Sequence, residues 1–179
     1  IDKSAGHVSS STIDVNCNGI DVNNKKTSGN NIAYKLVVEN NQITTDERSP
    51  LTAFDFAWVD FNNNIIDGAS SRSGVQIVKS QVNISGGSIG PIGGWNGIWS
   101  IGESDVRVDN VVIQDTAKEP IVAGEYPFGT EGWKPITENR MHVSNSVITG
   151  SPTGCQSDKL WGGEYPCSGI HSYGASVSL

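Results

Sequence analysis

The chain of 179 residues lacks several features that mark common classes of protein. Its 12 Lys and Arg residues stand against 19 Asp and Glu residues, so it lacks the basic surface that broad nucleic-acid binding needs. The same acidic balance disfavours electrostatic binding to anionic membranes. No apolar run approaches the roughly 18 residues of a transmembrane helix. Helical periodicity is hard to find, and short β-branched segments between Gly, Asn, Ser and Asp residues predict an all-β protein.

Cysteine is scarce, with three residues in the chain. Cys155 and Cys167 enclose the loop CQSDKLWGGEYPC, and a disulfide between them would staple that loop in an oxidising compartment. Two free thiols are the alternative. Cys17 is left over, and we predict that it is buried. The three histidines lie far apart in the sequence, so no His and Cys cluster has the spacing of a zinc site.

A repeat runs through most of the chain. Six segments open on an apolar residue and close on Ile five positions later: VNCNGI from Val15, VENNQI from Val38, FNNNII from Phe61, ISGGSI from Ile84, VDNVVI from Val108 and VSNSVI from Val143. Subtracting the numbers of the closing residues gives steps of 23, 23, 23, 24 and 35 for Ile20, Ile43, Ile66, Ile89, Ile113 and Ile148. The pattern predicts a coil of strands with one turn per repeat.

Asparagine recurs at one place in this repeat. The residues two positions after the opening ones are Cys17, Asn40, Asn63, Gly86, Asn110 and Asn145. Asn tolerates the left-handed conformation of a sharp turn, and stacked Asn side chains can hydrogen-bond to one another and to the backbone. We therefore predict a turn and an asparagine ladder at this position.

The repeat and the ladder resemble the right-handed parallel β-helix of the pectate-lyase type, over essentially the whole chain. The resemblance also rests on the strand starts Gly74-Val75, Gly97-Ile98 and Gly169-Ile170, with Gly132-Trp133 in the same place. It implies a single-stranded coil of about seven rungs with a period of about 23 residues, in one domain covering 1–179. Members of this fold family include pectate lyases, polygalacturonases, alginate lyases and epimerases, fructan-cleaving enzymes, phage tailspikes and adhesins. The chain has neither the polygalacturonase pattern of paired aspartates followed by Gly-His-Gly nor a clear pectate-lyase calcium and arginine signature, and fold alone does not give function.

Neither end of the coil has a cap in this sequence, and an open end would expose unpaired backbone and core side chains. We expect the chain to be part of a longer β-helix or to be completed by a second chain, with a homotrimer as a further option. The resemblance and the expected disulfide imply a secreted or extracellular protein, with the periplasm, the cell surface and a virion as the settings to consider.

Two enlarged loops are predicted, at 114–131 and 149–168, because the extra residues of the long steps fall there. Long loops on a rigid coil are where function concentrates. Each loop contains the sequence GEYP, at Gly124 to Pro127 and at Gly163 to Pro166. We predict equivalent places for the two copies, offset by two residues, so Glu125 and Glu164 are candidate catalytic carboxylates. A turn signal with a solvated Glu is the alternative for either copy.

Strand alternation predicts which side chains face outward beside these loops. The outward column should contain Gln76, Trp99, Lys134 and His171, with Tyr173 beside His171. The flanking loop residues are Glu119, Glu125, Tyr126, Glu131, Trp161, Glu164 and Tyr165. Exposed aromatic rings suit the C–H faces of sugars, and acids and amides suit the hydroxyls. We therefore assign Gln76, Trp99, Tyr126, Trp161, Tyr165 and Tyr173 to substrate binding.

The predicted function is a carbohydrate-active enzyme that cleaves or rearranges a polysaccharide. Two carboxylates, Glu125 and Glu164, would serve as general acid and as nucleophile or base. Lyase chemistry would instead use Lys134 or His171 as the base that removes a proton beside a uronate carboxylate. No cofactor is expected, except Ca²⁺ if the substrate is a polyuronate. The alternative is a non-catalytic β-helix that binds glycan or has a structural role, such as an adhesin or a tailspike shaft.

Overall fold

The computed structural model describes residues 5–24, 35–68, 72–124, 139–150, 169–173 and 175–179. This part of the chain contains no helix, which confirms the all-β prediction. Its strands are β1 (Gly6–Ser9), β2 (Thr12–Val15), β3 (Ile20–Asn23), β4 (Lys35–Glu39), β5 (Gln42–Thr45), β6 (Leu51–Phe54), β7 (Trp58–Gly68), β8 (Val75–Val78), β9 (Gln81–Ile92), β10 (Ile98–Ile101), β11 (Asp105–Asp109), β12 (Val112–Ile113), β13 (Ile121–Gly124), β14 (Arg140–Ser144), β15 (Val147–Ile148), β16 (Ile170–Tyr173) and β17 (Ser176–Ser178).

The strands form two sheets in which the pairings are parallel. The larger sheet runs β1-β4-β7-β9-β11-β14-β17, and β2, β5, β12 and β15 extend the same rows beyond a turn. The second sheet is six-stranded and runs β3-β6-β8-β10-β13-β16. Each pass of the chain thus contributes to the six-stranded sheet and then to the larger sheet, as expected for a coil of parallel strands.

Apolar side chains from both sheets fill the space between them. Leu36, Val59, Val82, Val106 and Met141 are buried, as are the closing residues of the predicted repeat, Ile43, Ile66, Ile89 and Ile113. The six-stranded sheet adds Leu51, Val75, Ile98 and Ile121 to the same core. Since the two sheets share one apolar cluster, burial of these columns is the main favourable contribution to the fold.

The first step of the predicted repeat is wrong. Ile13, not Ile20, pairs with Ile43, and Ile20 pairs with Leu51 in the six-stranded sheet. The matching residues Ser11 and Asn41 are 30 residues apart, whereas Asn41 and Asn64 are 23 apart. The segment VNCNGI has the apolar spacing of the repeat without belonging to it. The first pass is longer than the others, so the residue that pairs with Ile43 lies seven positions before Ile20.

The predicted turn is confirmed for five of its six residues. Positive φ angles occur at Asn40, Asn63, Gly86, Asn110 and Asn145, with values of 57°, 51°, 64°, 56° and 50°. The sixth position belongs to Ser10, with φ 52°, and not to Cys17. Cys17 is exposed, so the prediction that it is buried is also wrong. Its displacement follows from the shifted first pass.

The hydrogen-bonded ladder lies one residue after the predicted column. Asn64 Oδ1 accepts from the backbone N–H of Asn41 at 3.0 Å and from Asn41 Nδ2 at 2.9 Å. Asn64 Nδ2 donates to the carbonyl of Val38 at 2.9 Å. The exposed Asn residues therefore make the turn, and the buried Asn residues that follow satisfy the backbone inside it.

A strand lies inside the segment predicted as the first enlarged loop. β13 pairs with β10 through Ile98 and Ile121, so Pro120-Ile121 begins this strand and not Gly132-Trp133. Pro50-Leu51 begins β6 in the same way. The prediction identified these strands by a Gly directly before their first inward residue, but Pro occupies the same position before β6 and β13. The residues 125–138, beyond the end of β13, lie outside the described part of the chain.

Candidate functional site

The outer face of the six-stranded sheet carries a column of side chains in register. Trp99 pairs with Gln76 on one side and with Val122 on the other, and Val122 pairs with His171. Their neighbours Val75, Ile77, Ile98 and Ser100 are buried. The predicted outward direction is therefore confirmed for Gln76 and Trp99, and His171 lies in the same row through Val122, which is fully buried. The roles assigned to these residues stay predictions.

Lys134 does not take the place predicted for it in this column, because Val122 of β13 stands between Trp99 and His171. Tyr173 is the last residue of β16, where it pairs with Gly124. The other predicted residues lie outside the described part of the chain: Glu125, Tyr126, Glu131, Lys134, Cys155, Trp161, Glu164, Tyr165 and Cys167.

The two GEYP copies differ in their order along the chain relative to the strands. Gly124 is the last residue of β13, so the first copy follows its strand in the six-stranded sheet. The second copy ends at Pro166, before β16 begins at Ile170. The predicted equivalence is therefore wrong, since in chain order the first copy follows β13 and the second precedes β16, and these two strands pair.

Two tryptophans form an aromatic surface beside the column. The ring centroids of Trp95 and Trp99 are 5.8 Å apart with an interplanar angle of 45°. Lys118 Nζ lies 4.6 Å from the Trp95 ring centroid, within range of a cation–π interaction. Trp99 Nε1 donates to the carbonyl of Gly124 at 3.4 Å, which fixes the ring against β13. Trp95 had no role in the sequence interpretation.

A buried carboxylate faces the histidine of the column. Glu119 Oε1 lies 3.7 Å from His171 Nδ1, and the exposed fractions of the two side chains are 3% and 21%. Asn96 Nδ2 donates to Glu119 Oε2 at 3.1 Å and to the Glu119 carbonyl at 2.9 Å. Asn96 thus holds Glu119 in place, and the second carboxylate oxygen is directed to the imidazole.

The sequence interpretation placed Glu119 beside the column but did not predict its pairing. A signal was available, because Asn96 and Glu119 are 23 residues apart and so occupy one position in successive passes. The contact with His171 had no such signal, since an interval of variable length separates β13 from β16. We call the group formed by Trp95, Trp99, Lys118, Glu119 and His171 the Trp99 face.

The Trp99 face combines a stacking surface with a group that can transfer a proton. Successive strands in a sheet are about 4.8 Å apart, so Trp99 and His171 are separated by roughly two such spacings. Val122 lies between them and is fully buried, so a ligand that reached both side chains would not contact Val122. At 3.7 Å the contact between Glu119 Oε1 and His171 Nδ1 is longer than a hydrogen bond, so in this structure Glu119 acts on the imidazole through its charge. A carboxylate beside an imidazole is a recurrent arrangement in general acid–base catalysis.

No family model, curated protein or solved structure matches this chain. Among the described residues, no group of three or more His, Cys, Asp or Glu side chains could hold a metal ion. In the same part of the chain, no helix is long and apolar enough to cross a membrane.

Proposed function

We propose that the protein cleaves or rearranges a polysaccharide that binds along the Trp99 face. The observation that carries this proposal is the placement of Trp99 and His171 in one row across the six-stranded sheet, with Glu119 against the histidine. Trp95 and Trp99 would contact the apolar faces of sugar rings, and Gln76 would bind hydroxyl groups.

In this proposal His171 transfers the proton. Its Nδ1 faces Glu119, so the other ring nitrogen, Nε2, would take a proton from the substrate. Glu119 is a positioning residue because it is almost fully buried and fixed by Asn96. In a lyase step, removal of the proton beside the uronate carboxylate would form a C=C bond and expel the neighbouring glycosidic oxygen, which would take a proton from water. In an epimerase step, the proton would be returned to the opposite face of the same carbon. In hydrolysis, water would lose its proton to His171 and bond to the anomeric carbon while the glycosidic C–O bond breaks and the leaving oxygen takes a proton from solvent.

A two-carboxylate mechanism remains the second version of the same function. It would use Glu125 and Glu164, which lie outside the described residues. A separation of about 5 Å between two such carboxyl groups leads to retention, and about 6.5–9.5 Å leads to inversion. Replacing each glutamate by Gln distinguishes the versions, since only this mechanism predicts loss of turnover with His171 intact.

We also propose the finer architecture and setting. A right-handed β-helix of about seven rungs is supported by the parallel pairings, because parallel crossover connections are right-handed in about 98% of cases. A secreted or extracellular location and a disulfide between Cys155 and Cys167 stay proposals. Ca²⁺ would be required only if the substrate is a polyuronate, whose carboxylates repel an acidic protein.

The test is turnover of a glycan panel by three variants. Reducing ends report hydrolysis, and ultraviolet absorbance reports the unsaturated products of a lyase. We expect His171→Ala to lower kcat by about 10²–10⁴-fold, the usual contribution of a general acid or base. Glu119→Gln should lower kcat with little effect on KM, and Trp99→Ala should mainly raise KM because it removes a binding contact.

His142→Ala is the matched control. His142 is exposed on the larger sheet and lies 2.8 Å from Ser178 Oγ, away from the Trp99 face. Its loss should leave both kinetic constants unchanged. Full turnover in the His171→Ala variant would remove the proton-transfer role and leave the two-carboxylate version to be tested.

A non-catalytic module is the second candidate, and an apolar stripe favours it. Val112 and Val147 pair across β12 and β15, and both are exposed. Ile65 is also exposed and reaches the same row through Ser88. Contact between coils would bury this stripe, which could also hold a homotrimer or a second chain. Binding of glycans by the unmodified protein without any turnover would support this candidate.

A further inference from the structure

A surface pocket of about 240 Å³ lies at the turns that follow β6, β8 and β10. Its lining forms two rows. One row consists of the turn residues Phe56, Lys79 and Glu103, and the other of the strand residues Trp58, Gln81 and Asp105, with Ala57 and Ser80 between them. In the Trp99 face, Trp95 precedes β10, and Lys118 and Glu119 precede β13. The face therefore lies where the strands of the six-stranded sheet begin, and the pocket lies where they end.

Hydrogen bonds hold the base of this turn pocket in place. Ser80 Oγ accepts from the backbone N–H of Ala57 at 3.2 Å, and Ser104 Oγ accepts from that of Ser80 at 3.2 Å. Each serine also donates to a carbonyl at the end of the preceding strand, Val78 or Ile101. The pocket is therefore organised before any ligand arrives, which lowers the free-energy cost of binding.

Phe56 is held in an unfavourable backbone conformation at the wall of the pocket. Its φ is 68°, directly after Asp55 with φ 52°, and the left-handed region costs a bulky residue about 1–2 kcal/mol. The Phe56 N–H donates to the carbonyl of Lys79 at 2.6 Å, and its own carbonyl accepts from Asn24 Nδ2 at 3.1 Å. Strain that is fixed in this way tends to occur at binding sites.

The second row offers an aromatic ring next to polar groups. Trp58 pairs with Gln81, and Gln81 pairs with Asp105, so their side chains follow one another at about 4.8 Å. Lys35 Nζ lies 5.3 Å from the Trp58 ring centroid and is paired with Asp60. Because Asp60 balances Lys35, the charges at the pocket itself are those of Lys79, Glu103 and Asp105, with one negative charge in excess.

We propose that the turn pocket is a second carbohydrate site, which binds one uncharged pyranose ring. Phe56 and Trp58 contact the C–H groups of the ring, while Gln81, Lys79 and the two carboxylates bind its hydroxyls. The volume lies below the roughly 300–1,000 Å³ of sites for larger ligands, so the pocket holds one ring of a sugar chain at a time. The excess negative charge opposes a uronate.

The experiment follows the indole N–H signals of the five tryptophans in nitrogen–proton correlation spectra. Trp58→Phe and Trp99→Phe identify the two relevant signals. The probes are cellohexaose, maltohexaose, mannohexaose and xylohexaose, with hexagalacturonate as the charged comparison. At least one neutral hexasaccharide should shift the Trp58 signal, and Gln81→Ala should weaken that interaction about tenfold, which corresponds to about 1.4 kcal/mol.

Gln42→Ala is the matched control, because Gln42 is exposed on β5 of the larger sheet, away from the pocket. It should leave the titration unchanged. Glu103→Gln, at an exposed position, provides a second variant if Gln81→Ala fails to fold, and it should also weaken binding of the neutral probe.

The outcomes separate this proposal from the proposed function. If the neutral probes shift only the Trp99 signal, the turn pocket is not a carbohydrate site and the proposed function stands. If they shift only the Trp58 signal, the pocket is supported and binding along the Trp99 face fails. If they shift neither signal, the turn pocket proposal is overturned. A stronger shift of the Trp58 signal by hexagalacturonate than by every neutral probe would overturn the assignment to an uncharged ring.

Discussion

At the scale of single residues, exposed polar side chains support one another between successive turns of the coil. Asp109 is an example, because its carboxylate accepts from Ser144 Oγ and from Asn145 Nδ2, both at 2.8 Å. The hydrogen bond from Ser144 and then that from Asn145 lower the pKa of Asp109 below its ordinary value of 3.8, against a smaller opposing effect of desolvation. The nearby His142 lowers the pKa further.

The Asp109 carboxylate should therefore stabilise the fold above its unfolded pKa of about 3.8, and this contribution should be lost as the pH falls through the lower folded value. Ser144→Ala removes the largest cause, so the folded pKa of Asp109 should rise toward 3.8. Carbon NMR of the labelled carboxyl group measures both values. An unchanged titration in the Ser144→Ala variant would contradict this assignment of the shift.

At the scale of elements, two successive residues of the turn in the larger sheet have different roles in each pass. One adopts the left-handed conformation and the next makes the side-chain hydrogen bonds. Asn63 is exposed and has the positive φ, and Asn64 is buried and has the hydrogen bonds. In the next pass Gly86 and Gly87 take the two places, both with positive φ. Glycine can replace the conformational role of Asn but not its side-chain bonds.

We expect Asn64→Ala to destabilise the protein by about 3 kcal/mol, since the buried donors of Asn41 and the Val38 carbonyl would lose their partner. Asn63→Gly is the matched control and should change the free energy of unfolding by less than about 1 kcal/mol. Urea unfolding followed by tryptophan fluorescence measures both. A larger effect at Asn63 than at Asn64 would show that the turn conformation matters more than the ladder.

At the scale of the whole molecule, charge and architecture set what can bind. The chain carries a formal net charge of −7 at pH 7. Its described strands form parallel sheets around one apolar cluster, so chemistry is confined to the outer faces and turns. An acidic protein of this kind should bind neutral glycans with little electrostatic contribution and should repel polyuronates in the absence of a bridging cation.

Salt dependence of binding checks this expectation. Between about 0.01 M and 0.15 M salt the Debye length falls from about 30 Å to about 8 Å. The affinity for a neutral hexasaccharide such as cellohexaose should change by less than about twofold. Hexagalacturonate should bind more tightly at the higher salt concentration, because repulsion is screened. Weaker binding of hexagalacturonate at higher salt, measured by calorimetry without Ca²⁺, would instead indicate an attractive basic subsite.

The sequence by itself determined the all-β class, the buried columns of Ile and Val, and the left-handed Asn turns. These features are local or repeat at a nearly constant interval, so residue type and spacing are enough to predict them. It also indicated the outward direction of Gln76 and Trp99, since strand alternation fixes that direction once the strand is known.

Where the number of residues between successive passes changes, only the tertiary structure decided which segments pair. The longer first pass moved Ile13 into the place predicted for Ile20, and β13 put Val122 in the place predicted for Lys134. The contact between Glu119 and His171 depends on two strands joined by an interval of variable length. Periodicity carries no information across such an interval, because any number of residues can be accommodated outside the coil at little cost in free energy.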